Sequence, residues 1–446
     1  MIPGILRLNS NTKYGMTSKH SPLYLFNPLD KTLGPCIVGS SETDLSSNVL
    51  ALITVEHWET QKLTRGQLIR IIGKCGDLKS EESALLHQYS KFTWKKIKDD
   101  AIVIPSDDGY TYIAGISFNV DPIGCIDIDD TVIIGDDGYT YIAIADVASW
   151  MIVNPNIFKK ALTIGQTLYN NGRVVSPLLP IQELCSLIPG KKRRSIALKF
   201  KWNGRSIIDI SFEKILFVNS ISYTYDTIHK SKYASFLQEL TTFIANRQIN
   251  DPHEWIEQLM IFYNNEAVKV LVKNNQGLLR SQLEPDIEKY EIYHKLGADL
   301  EFLANKSAFY THTSDGGKHW GLSNEYYCHA TSPIRRFADI VNQMVLREDT
   351  IPIINIETLN KLGTNAKKYE REIFFLNKIL TTKNRSVSGI ILNDHRIWIP
   401  LWKRIITCKN DSVLGTHGTV KYSLDMNQHT WKRKMIFRFE DINCQE

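Results

Sequence analysis

The sequence lacks the paired cysteines that build most small zinc sites and disulfide frameworks. None of its seven cysteines belongs to a Cys-x-x-Cys pair, and they are spread singly along the 446 residues: Cys36, Cys75, Cys125, Cys185, Cys328, Cys408 and Cys444. This excludes the usual zinc ribbons and is typical of a reducing compartment. The predicted location is therefore intracellular, in the cytoplasm, with the nucleus as the alternative.

Long apolar runs and a signal peptide are also missing. No apolar run approaches the roughly 18 residues of a transmembrane helix, and the first residues contain no basic and apolar stretch of the secretory type. We therefore predict no membrane partner. With 43% hydrophobic and 23% charged residues, the composition is that of a soluble globular protein. A net charge of +5 is only mildly basic and does not establish a nucleic-acid partner.

Acidic residues, in contrast, are concentrated in one short stretch. Asp121, Asp127, Asp129 and Asp130 lie within ten residues. Like charges at such density raise one another's pKa unless a cation compensates them, and Mg²⁺ or Mn²⁺ prefers oxygen ligands of this kind. A solvated acidic turn is the plain alternative. The apolar neighbours, from Ile126 to Ile134, favour the metal interpretation.

Two other phosphate or metal motifs compete for this stretch. An EF-hand loop beginning at Asp127 requires Gly at its sixth position and Glu at its twelfth, and the chain has Val132 and Gly138 there. Asp127-Ile-Asp129-Asp130-Thr131 also fits the start of a haloacid dehalogenase-like phosphatase, with Asp127 as the nucleophile. That interpretation leaves Asp121 without a role and expects a hydrophobic strand before the motif, where Pro122 and Gly124 stand. It remains a less favoured alternative.

The acidic cluster belongs to a longer ordered pattern. Asp121-Pro122 and Asp127-Ile-Asp129-Asp130 are followed by Ile144-Ala145-Asp146-Val147, and far downstream comes Tyr327-Cys-His329-Ala-Thr331-Ser332-Pro333-Ile334-Arg335-Arg336-Phe337-Ala-Asp339. These motifs resemble those of the ribonuclease II (RNB) family of exoribonucleases. The family pattern has Asp-Pro, Asp-x-Asp-Asp, Ile-Ala-Asp-Val and Tyr-x-His-x-Thr-Ser-Pro-Ile-Arg-Arg-Tyr-x-Asp in the same order.

The resemblance implies an α+β multidomain fold. It predicts an N-terminal OB or cold-shock-like β-barrel at 1–87, a central RNB α/β catalytic domain at 88–385 and a short S1/OB-like β region at 386–446. Barrels of this type bind single strands by stacking bases on aromatic side chains. The candidates for such contacts are Tyr24, Phe26, Trp58 and Arg70, with burial in the barrel core as the alternative for each aromatic residue.

The resemblance also assigns site residues. It implies that Asp121, Asp127, Asp129 and Asp130 hold Mg²⁺, with Mn²⁺ possible, and that Asp129 supports the attacking water. Arg335 would hold the phosphate of the 3′-terminal nucleotide. Tyr169 would stack on that nucleotide, and Glu370 would support the site. Further predicted RNA contacts are Arg336 and the basic segment Lys191, Lys192, Arg193 and Arg194, for which a solvated loop is the alternative.

The function implied is 3′→5′ hydrolysis of single-stranded RNA to nucleoside 5′-monophosphates. No small-molecule cofactor is expected, and the chain would act as a monomer or as a subunit of a larger RNA-processing complex. An RNA-binding adaptor that keeps the fold without turnover is the alternative. Residues 224–253 are shorter than the corresponding family segment, which mildly favours the adaptor, whereas the four aspartates and Arg335 favour the enzyme.

Several local structures are predicted from short patterns. Two near-copies, 107–114 and 136–143, carry Asp-Gly between β-prone runs and predict two hairpins. Ser332 and Pro333 predict the start of a helix that leaves Arg335 free for a phosphate. An ion pair between Arg335 and Asp339, one turn apart, is the alternative. Helices are expected at about 256–271 and 357–382. Basic residues concentrate at Lys91, Lys95, Lys96 and Lys98 and, near the C-terminus, at Lys403, Arg404, Lys432, Arg433 and Lys434.

Overall fold

A computed structural model describes residues 1–58, 63–90, 94, 102–296, 300–381, 385–410, 413–425 and 435–441. Two compact units are present. The barrel unit comprises Met1–Thr93, Tyr169–Arg173 and Asn365–Glu446, and the central unit comprises Trp94–Leu168 and Val174–Thr364. No helix in the described part of the chain has the length and apolar character needed to cross a membrane. The predicted domain limits at 87/88 and 385/386 remain predictions.

The barrel unit begins with a closed five-stranded barrel in the order β1-β2-β3-β5-β4. Its elements are β1 (Ile2–Leu6), β2 (Leu23–Pro28), β3 (Cys36–Gly39), β4 (Val49–Thr54), β5 (Thr64–Lys74) and helix α1 (Leu78–Tyr89). The continuous apolar run of β4 is buried along almost its whole length. Tyr24 and Phe26 are only 2% and 0% exposed and belong to this core. Their prediction as RNA contacts is therefore wrong, because neither side chain presents a face on which a base could stack.

The other two barrel candidates are closer to solvent. Trp58 is 38% exposed, and Arg70 Nη2 lies 2.8 Å from Nε2 of His87. Both remain predictions. The basic residues Lys91, Lys95, Lys96 and Lys98 lie outside the described residues.

The central unit is built on a seven-stranded sheet in the order β14-β7-β8-β9-β12-β13-β6. The elements of this part of the chain, in sequence, are β6 (Thr111–Tyr112), β7 (Gly115–Val120), β8 (Asp130–Gly135), β9 (Thr140–Ala145), α2 (Val147–Val153), α3 (Pro155–Ile164), β10 (Leu168–Asn170), β11 (Arg173–Ser176), α4 (Gln182–Cys185), β12 (Lys192–Trp202), β13 (Ile207–Val218), β14 (Ile221–Tyr223), α5 (Tyr225–Ile228), α6 (Ala234–Ala245), α7 (Pro252–Asn274), β15 (Leu278–Ser281), α8 (Ile287–Lys295), β16 (Phe309–His312) and α9 (Phe337–Leu346).

Both faces of this sheet are buried. In the middle strand β9, Tyr141 and Ala143 pack into one core cluster, while Ile142 and Ile144 pack into another on the opposite side. Successive side chains of a strand point to opposite faces, so an uninterrupted apolar run requires cover on both. Helix α7 supplies part of the second cluster through Leu259 and Leu271. The predicted apolar stripe of 256–271 is therefore confirmed as core.

The two near-copies adopt different structures. The second copy forms the expected turn, joining β8 to β9 as an antiparallel hairpin. The first copy also makes a turn, but its short strand β6 pairs in parallel with β13. The prediction of two similar hairpins is wrong for the first copy, because its strand partner comes from a distant part of the chain.

The chain ends with helix α10 (Ile356–Thr381) and a five-stranded sheet in the order β19-β18-β17-β20-β21. The strands are β17 (Ser386–Asn393), β18 (Arg396–Ile399), β19 (Arg404–Thr407), β20 (His417–Leu424) and β21 (Met435–Asp441). Trp402 and Phe375 pack in its core. Of the predicted basic residues, Arg404 forms an ion pair with Glu372 at 3.0 Å, and Lys432, Arg433 and Lys434 lie outside the described residues.

Candidate active site

The acidic cluster lies in and beside the loop that connects two neighbouring strands of the central sheet. Strand β7 ends at Val120, and the antiparallel strand β8 begins at Asp130. The loop between them turns at Pro122, whose carbonyl accepts a hydrogen bond from the Cys125 N–H at 3.1 Å, and Gly124 has a φ of +79° there. Because the two strands run side by side, Asp121 and Asp130 are held at the same end of the sheet.

Asp129 is the buried member of the cluster and connects it to the second motif. Only 5% of the residue is exposed. Its Oδ1 accepts the Ile334 N–H at 2.9 Å, and its Oδ2 lies 3.6 Å from Nε of Arg335. Burial raises the pKa of Asp129 well above its usual range, while the Arg335 charge and the Ile334 N–H act in the opposite direction. The two motifs recognised in the sequence therefore meet at this carboxylate.

Asp121 and Asp130 influence each other electrostatically. Burial, followed by the charge of Asp121, raises the pKa of Asp130 to about 8. Burial also raises the pKa of Asp121, against the hydrogen bond that Asn119 donates to it at 2.8 Å. The fourth carboxylate, Asp127, lies 3.5 Å from Sγ of Cys125. Burial and mutual repulsion thus disfavour the ionised forms of Asp121, Asp129 and Asp130 in the chain by itself.

The donor chemistry of these residues fits a hard divalent cation. Carboxylate oxygens are the ligands that Mg²⁺ prefers, and a cation would relieve the repulsion between Asp121 and Asp130. Over the described ranges, however, no group of three or more His, Cys, Asp or Glu side chains is placed so that it could hold a metal ion. The residues supply suitable donors, but their side chains are not gathered around a single point.

The segment that carries Arg335 is a turn and not the first turn of a helix. Helix α9 begins at Phe337, and Arg336 before it is extended, with φ −130° and ψ 124°. The N–H groups of Arg335 and Arg336 both bond to the Ser332 carbonyl, at 3.3 and 2.9 Å, and Arg336 forms an isolated bridge with Gln166. The predicted helix start at Ser332 and Pro333 is therefore wrong, because this bridge holds the chain extended.

The alternative for Arg335, an ion pair with Asp339, is also wrong. Asp339 is fully buried and binds Arg336 at 2.8 Å. Arg335 instead faces Asp129, and 48% of its side chain remains exposed. The chain thus directs one arginine of the motif toward its own core and the next toward the acidic cluster.

Most of the basic segment is engaged with the protein. Lys192 and Arg194 both form ion pairs with Asp107, at 2.7 and 2.6 Å. Arg193 donates to the carbonyls of Ser186 and Glu183 at 2.7 and 3.1 Å. Lys191 is exposed. The alternative of a solvated loop is wrong for Lys192 to Arg194, which lie in β12, and their prediction as phosphate contacts stays a prediction.

Two predicted site residues lie in the other unit. Tyr169 follows Leu168 in β10, and Glu370 lies in α10; both belong to the barrel unit. The aspartates and Arg335 belong to the central unit. The roles of Tyr169 and Glu370 therefore stay predictions.

Tyr225 lies near the acidic cluster and was not among the residues predicted from the sequence. Burial, followed by the charges of Asp130 and Asp121, raises its pKa to about 12, so the phenol lies within electrostatic reach of the acidic cluster. Its ring stacks on His253 with centroids 3.7 Å apart. No short motif surrounds Tyr225, and residues 224–253 stood out in the sequence only for their length.

The phosphatase alternative finds no support in this geometry. A nucleophilic Asp127 would have to follow a hydrophobic strand, whereas the residues before it form the turn at Pro122 and a loop. Asp121, which that interpretation leaves without a role, is half-buried beside Asp130.

Comparison with known protein families decides the affiliation. The family described as RNB domain matches residues 114–235 and 227–349, which include the whole acidic cluster and the Arg335 turn. The chain belongs to the RNB family. A second description, Dis3-like cold-shock domain 2 (CSD2), matches residues 23–90, so an OB-type barrel precedes the RNB domain as predicted.

Individual relatives are distant. The human exosome complex exonuclease RRP44 is 22% identical over 452 residues, covering 77% of this chain and 47% of that protein. The structure of Mycoplasma genitalium RNase R with ribose-methylated single-stranded RNA has a TM-score of 0.77 at 16% identity, covering 98% of this chain and 90% of that one. Yeast Ssd1, described as a pseudonuclease, has a TM-score of 0.65 at 15% identity, covering 91% and 65%.

These matches establish the RNB fold and family. The chain spans about half the length of the human relative that it matches. At identities this low, the similarity to solved structures concerns the fold alone.

Proposed function

We propose that this RNB-family chain is a 3′→5′ exoribonuclease that hydrolyses single-stranded RNA and releases nucleoside 5′-monophosphates. The observation that carries the proposal is the junction at Asp129. A single buried carboxylate there joins the acidic cluster to the Arg335 turn, at 2.9 Å from the Ile334 N–H and 3.6 Å from Arg335 Nε. A phosphate-binding cation beside carboxylates is the pairing that phosphodiester hydrolysis requires.

Each residue has a proposed part. Asp121, Asp127 and Asp130 would hold Mg²⁺, with Asp129 completing the set, and the bound ion would activate water and neutralise developing charge on the phosphate. Arg335, with nearly half of its side chain exposed, would bind the scissile phosphate. Tyr169 would stack on the 3′-terminal base, and Glu370 would support the site.

Relatives favour RNA as the substrate. RNase R of Mycoplasma genitalium has been solved with single-stranded RNA, and human RRP44 is an exosome complex exonuclease. By this likeness, the chain would act on single-stranded RNA, either alone or as a subunit of a larger RNA-processing complex.

A catalytically inactive RNA-binding adaptor is the second candidate. The likeness to Ssd1, a pseudonuclease, favours it, as does the absence of a gathered three-ligand group among the described residues. The retention of four aspartates together with Arg335 counts against it. The two candidates differ in turnover and agree in RNA binding.

The deciding experiment uses purified chain, Mg²⁺ and one RNA oligomer labelled at either end. An exonuclease shortens the 5′-labelled RNA step by step and releases labelled mononucleotide at once from the 3′-labelled RNA. EDTA should abolish both, and a DNA oligomer of the same sequence should bind without being shortened, because the 2′-hydroxyl distinguishes the two. Binding without any Mg²⁺-dependent shortening would establish the adaptor.

A further inference from the structure

A second group of cations lies beside the Arg335 turn. Strand β15 carries Arg280, which is 8% exposed, and its charge reaches Arg336 and His329. The only carboxylate that forms an ion pair in this group, over the described ranges, is Asp339 on Arg336. Arg280 and Arg336 thus have one ion-paired carboxylate between them in a largely desolvated environment, and the charge of Asp129 acts on Arg336 from a greater distance.

Arg280 is held in place by an aromatic ring and by the backbone. Its guanidinium carbon lies 4.6 Å from the centre of the Tyr310 ring, and its backbone N–H donates to the Tyr327 carbonyl at 2.7 Å, which fixes the strand that carries it. In the described part of the chain, no carboxylate lies within ion-pair distance of it. Stacking fixes a guanidinium while leaving its N–H donors free to point elsewhere. Because a buried charge normally has a partner, this arrangement indicates that an anion belongs here.

Other polar atoms around Arg280 point to the same conclusion. Nε of Arg336 and Nδ1 of His319 are buried and have no hydrogen-bond partner among the described residues. His329 contacts the Tyr310 hydroxyl through Nδ1 at 3.0 Å. Burial and the charges of Arg336 and Arg280 hold the pKa of His329 well below its usual range, so its imidazole is neutral and can donate one hydrogen bond.

We propose that Arg280, together with Arg336 and His329, binds a backbone phosphate of the RNA adjacent to the one held by Arg335. Arg335 and Arg336 are consecutive, and the extended backbone at Arg336 sends their side chains to different sides. One faces the acidic cluster and the other faces Arg280. A polyanion with evenly spaced phosphates can engage both sides, and an arginine fork matches phosphate oxygens. This inference rests on the proposed RNA substrate and names a second contact for it.

The test pairs a protein variant with a neutralised phosphate. A set of single-stranded RNA oligomers carries one uncharged methylphosphonate each, placed at successive linkages from the 3′ end. Affinities are measured in EDTA, which prevents hydrolysis, for the unmodified chain and Arg280→Met. Arg205→Met is the matched control, because Arg205 is an exposed arginine in the turn between β12 and β13. Thermal unfolding of each variant verifies that it is folded.

The expected result is a loss confined to one linkage. Arg280→Met should weaken binding of unmodified RNA by about tenfold. The slope of log affinity against log salt should change by about 0.7, which corresponds to one phosphate contact. Neutralising one particular linkage should then weaken RNA binding by the unmodified chain and by the Arg205→Met control. It should not weaken RNA binding by Arg280→Met. If Arg280→Met does not fold, Arg280→Lys should retain sensitivity at the same linkage with a smaller effect.

Two outcomes overturn the proposal. Equal losses at every linkage in Arg280→Met and the unmodified chain would mean that Arg280 only supports Tyr310 and the fold. An Arg280→Lys variant that loses the same affinity as the unmodified chain at every neutralised linkage would also overturn it. A chain that shows the linkage-specific effect but never hydrolyses RNA would refute the exonuclease proposal alone, so the two failures can be distinguished.

Discussion

Asp129 and Asp146 are both buried aspartates of the central unit, and they differ in the ion pairs and hydrogen bonds that compensate their charge. The Asp146 carboxylate binds the Arg347 guanidinium and the Tyr110 hydroxyl, and it also accepts the Ser149 N–H at 2.9 Å as the cap of α2. Asp129 has one backbone N–H at 2.9 Å and an arginine at 3.6 Å. Among the described residues, Asp146 therefore has closer and more numerous partners than Asp129.

The arginines differ in the same way. The side chain of Arg347 is 10% exposed and forms ion pairs with Asp146 and Asp349, whereas that of Arg335 is 48% exposed. Charges that the chain neutralises itself hold elements together. Charges that it leaves partly unmet are available to a ligand, which is how functional sites often differ from structural ion pairs. The following changes test this division.

The largest expected effect is on catalysis. Asp129→Asn should lower RNA hydrolysis by about three orders of magnitude or more, because the lost charge acts mainly in the transition state. RNA affinity should stay the same or increase, since less negative charge faces the phosphates. Asp146→Asn should retain activity per folded molecule. Single-turnover rates, normalised to the folded fraction, measure both. Equal losses of hydrolysis in the two variants would contradict the assignment of Asp129 to the site and of Asp146 to the fold.

The next effect is on stability, where Asp146→Asn should have the larger effect of the two variants. Asp146→Asn leaves Arg347 buried with its charge unmet on that side, and we expect a loss of about 3–5 kcal/mol in the free energy of unfolding. Asp129→Asn removes a buried and poorly compensated charge, so it should leave stability unchanged or raise it. Urea unfolding followed by circular dichroism reports the difference. A larger loss in Asp129→Asn than in Asp146→Asn would contradict the prediction.

A smaller effect concerns pH. The pKa of Asp130 is about 8 in the folded chain, against 3.8 as its ordinary value. A raised folded pKa means that the stabilisation is complete below about pH 4 and is lost as the pH rises toward 8. In EDTA, the midpoint of thermal unfolding should therefore fall over this range, and Asp130→Asn should reduce the fall. If Mg²⁺ binds here, adding it should also reduce the fall in the unmodified chain and not in the variant.

The smallest effect is expected from the basic segment. Lys192 and Arg194 already pair with Asp107, so they resemble Arg347 more than Arg335. Lys191→Ala should change the slope of log RNA affinity against log salt by at most about 0.7. Replacing Lys191 to Arg194 together should lower the unfolding temperature more than it flattens the slope. A flattening of several phosphate equivalents in a fully folded variant would place these residues among the RNA contacts.

Short sequence patterns predicted turns correctly and strand partners only in part. Gly109 and Gly138 have φ values of +78° and +80°, so both near-copies turn at the expected glycine. The tyrosines that follow these two glycines have different partners. The Tyr110 hydroxyl joins Asp146 and Arg347, whereas the Tyr139 ring lies between Lys199 and Lys201, at 4.3 and 4.6 Å. Such partners come from far along the chain and cannot be inferred from eight residues.

The candidate site shows a similar limit. Motif order identified the four aspartates and the arginine pair, and it indicated the RNB fold. The partner of each arginine was not predictable, because it depends on the bridge between Gln166 and Arg336. Tyr225 was missed for a related reason: its proximity to the acidic cluster arises from the parallel pairing of β14 with β7, which no local pattern encodes.

The hydrogen bond between the Ile334 N–H and Asp129 spans 205 residues of sequence, and this has a consequence for biosynthesis. At translation rates of roughly 5–20 residues per second, the acidic loop is complete about 10–40 seconds before its partner is made. During that interval the emerging chain carries the carboxylates without Ile334 and Arg335. A truncated product ending before residue 334 would therefore lack this junction, and the proposed hydrolysis would require Ile334 and Arg335 to have been synthesised.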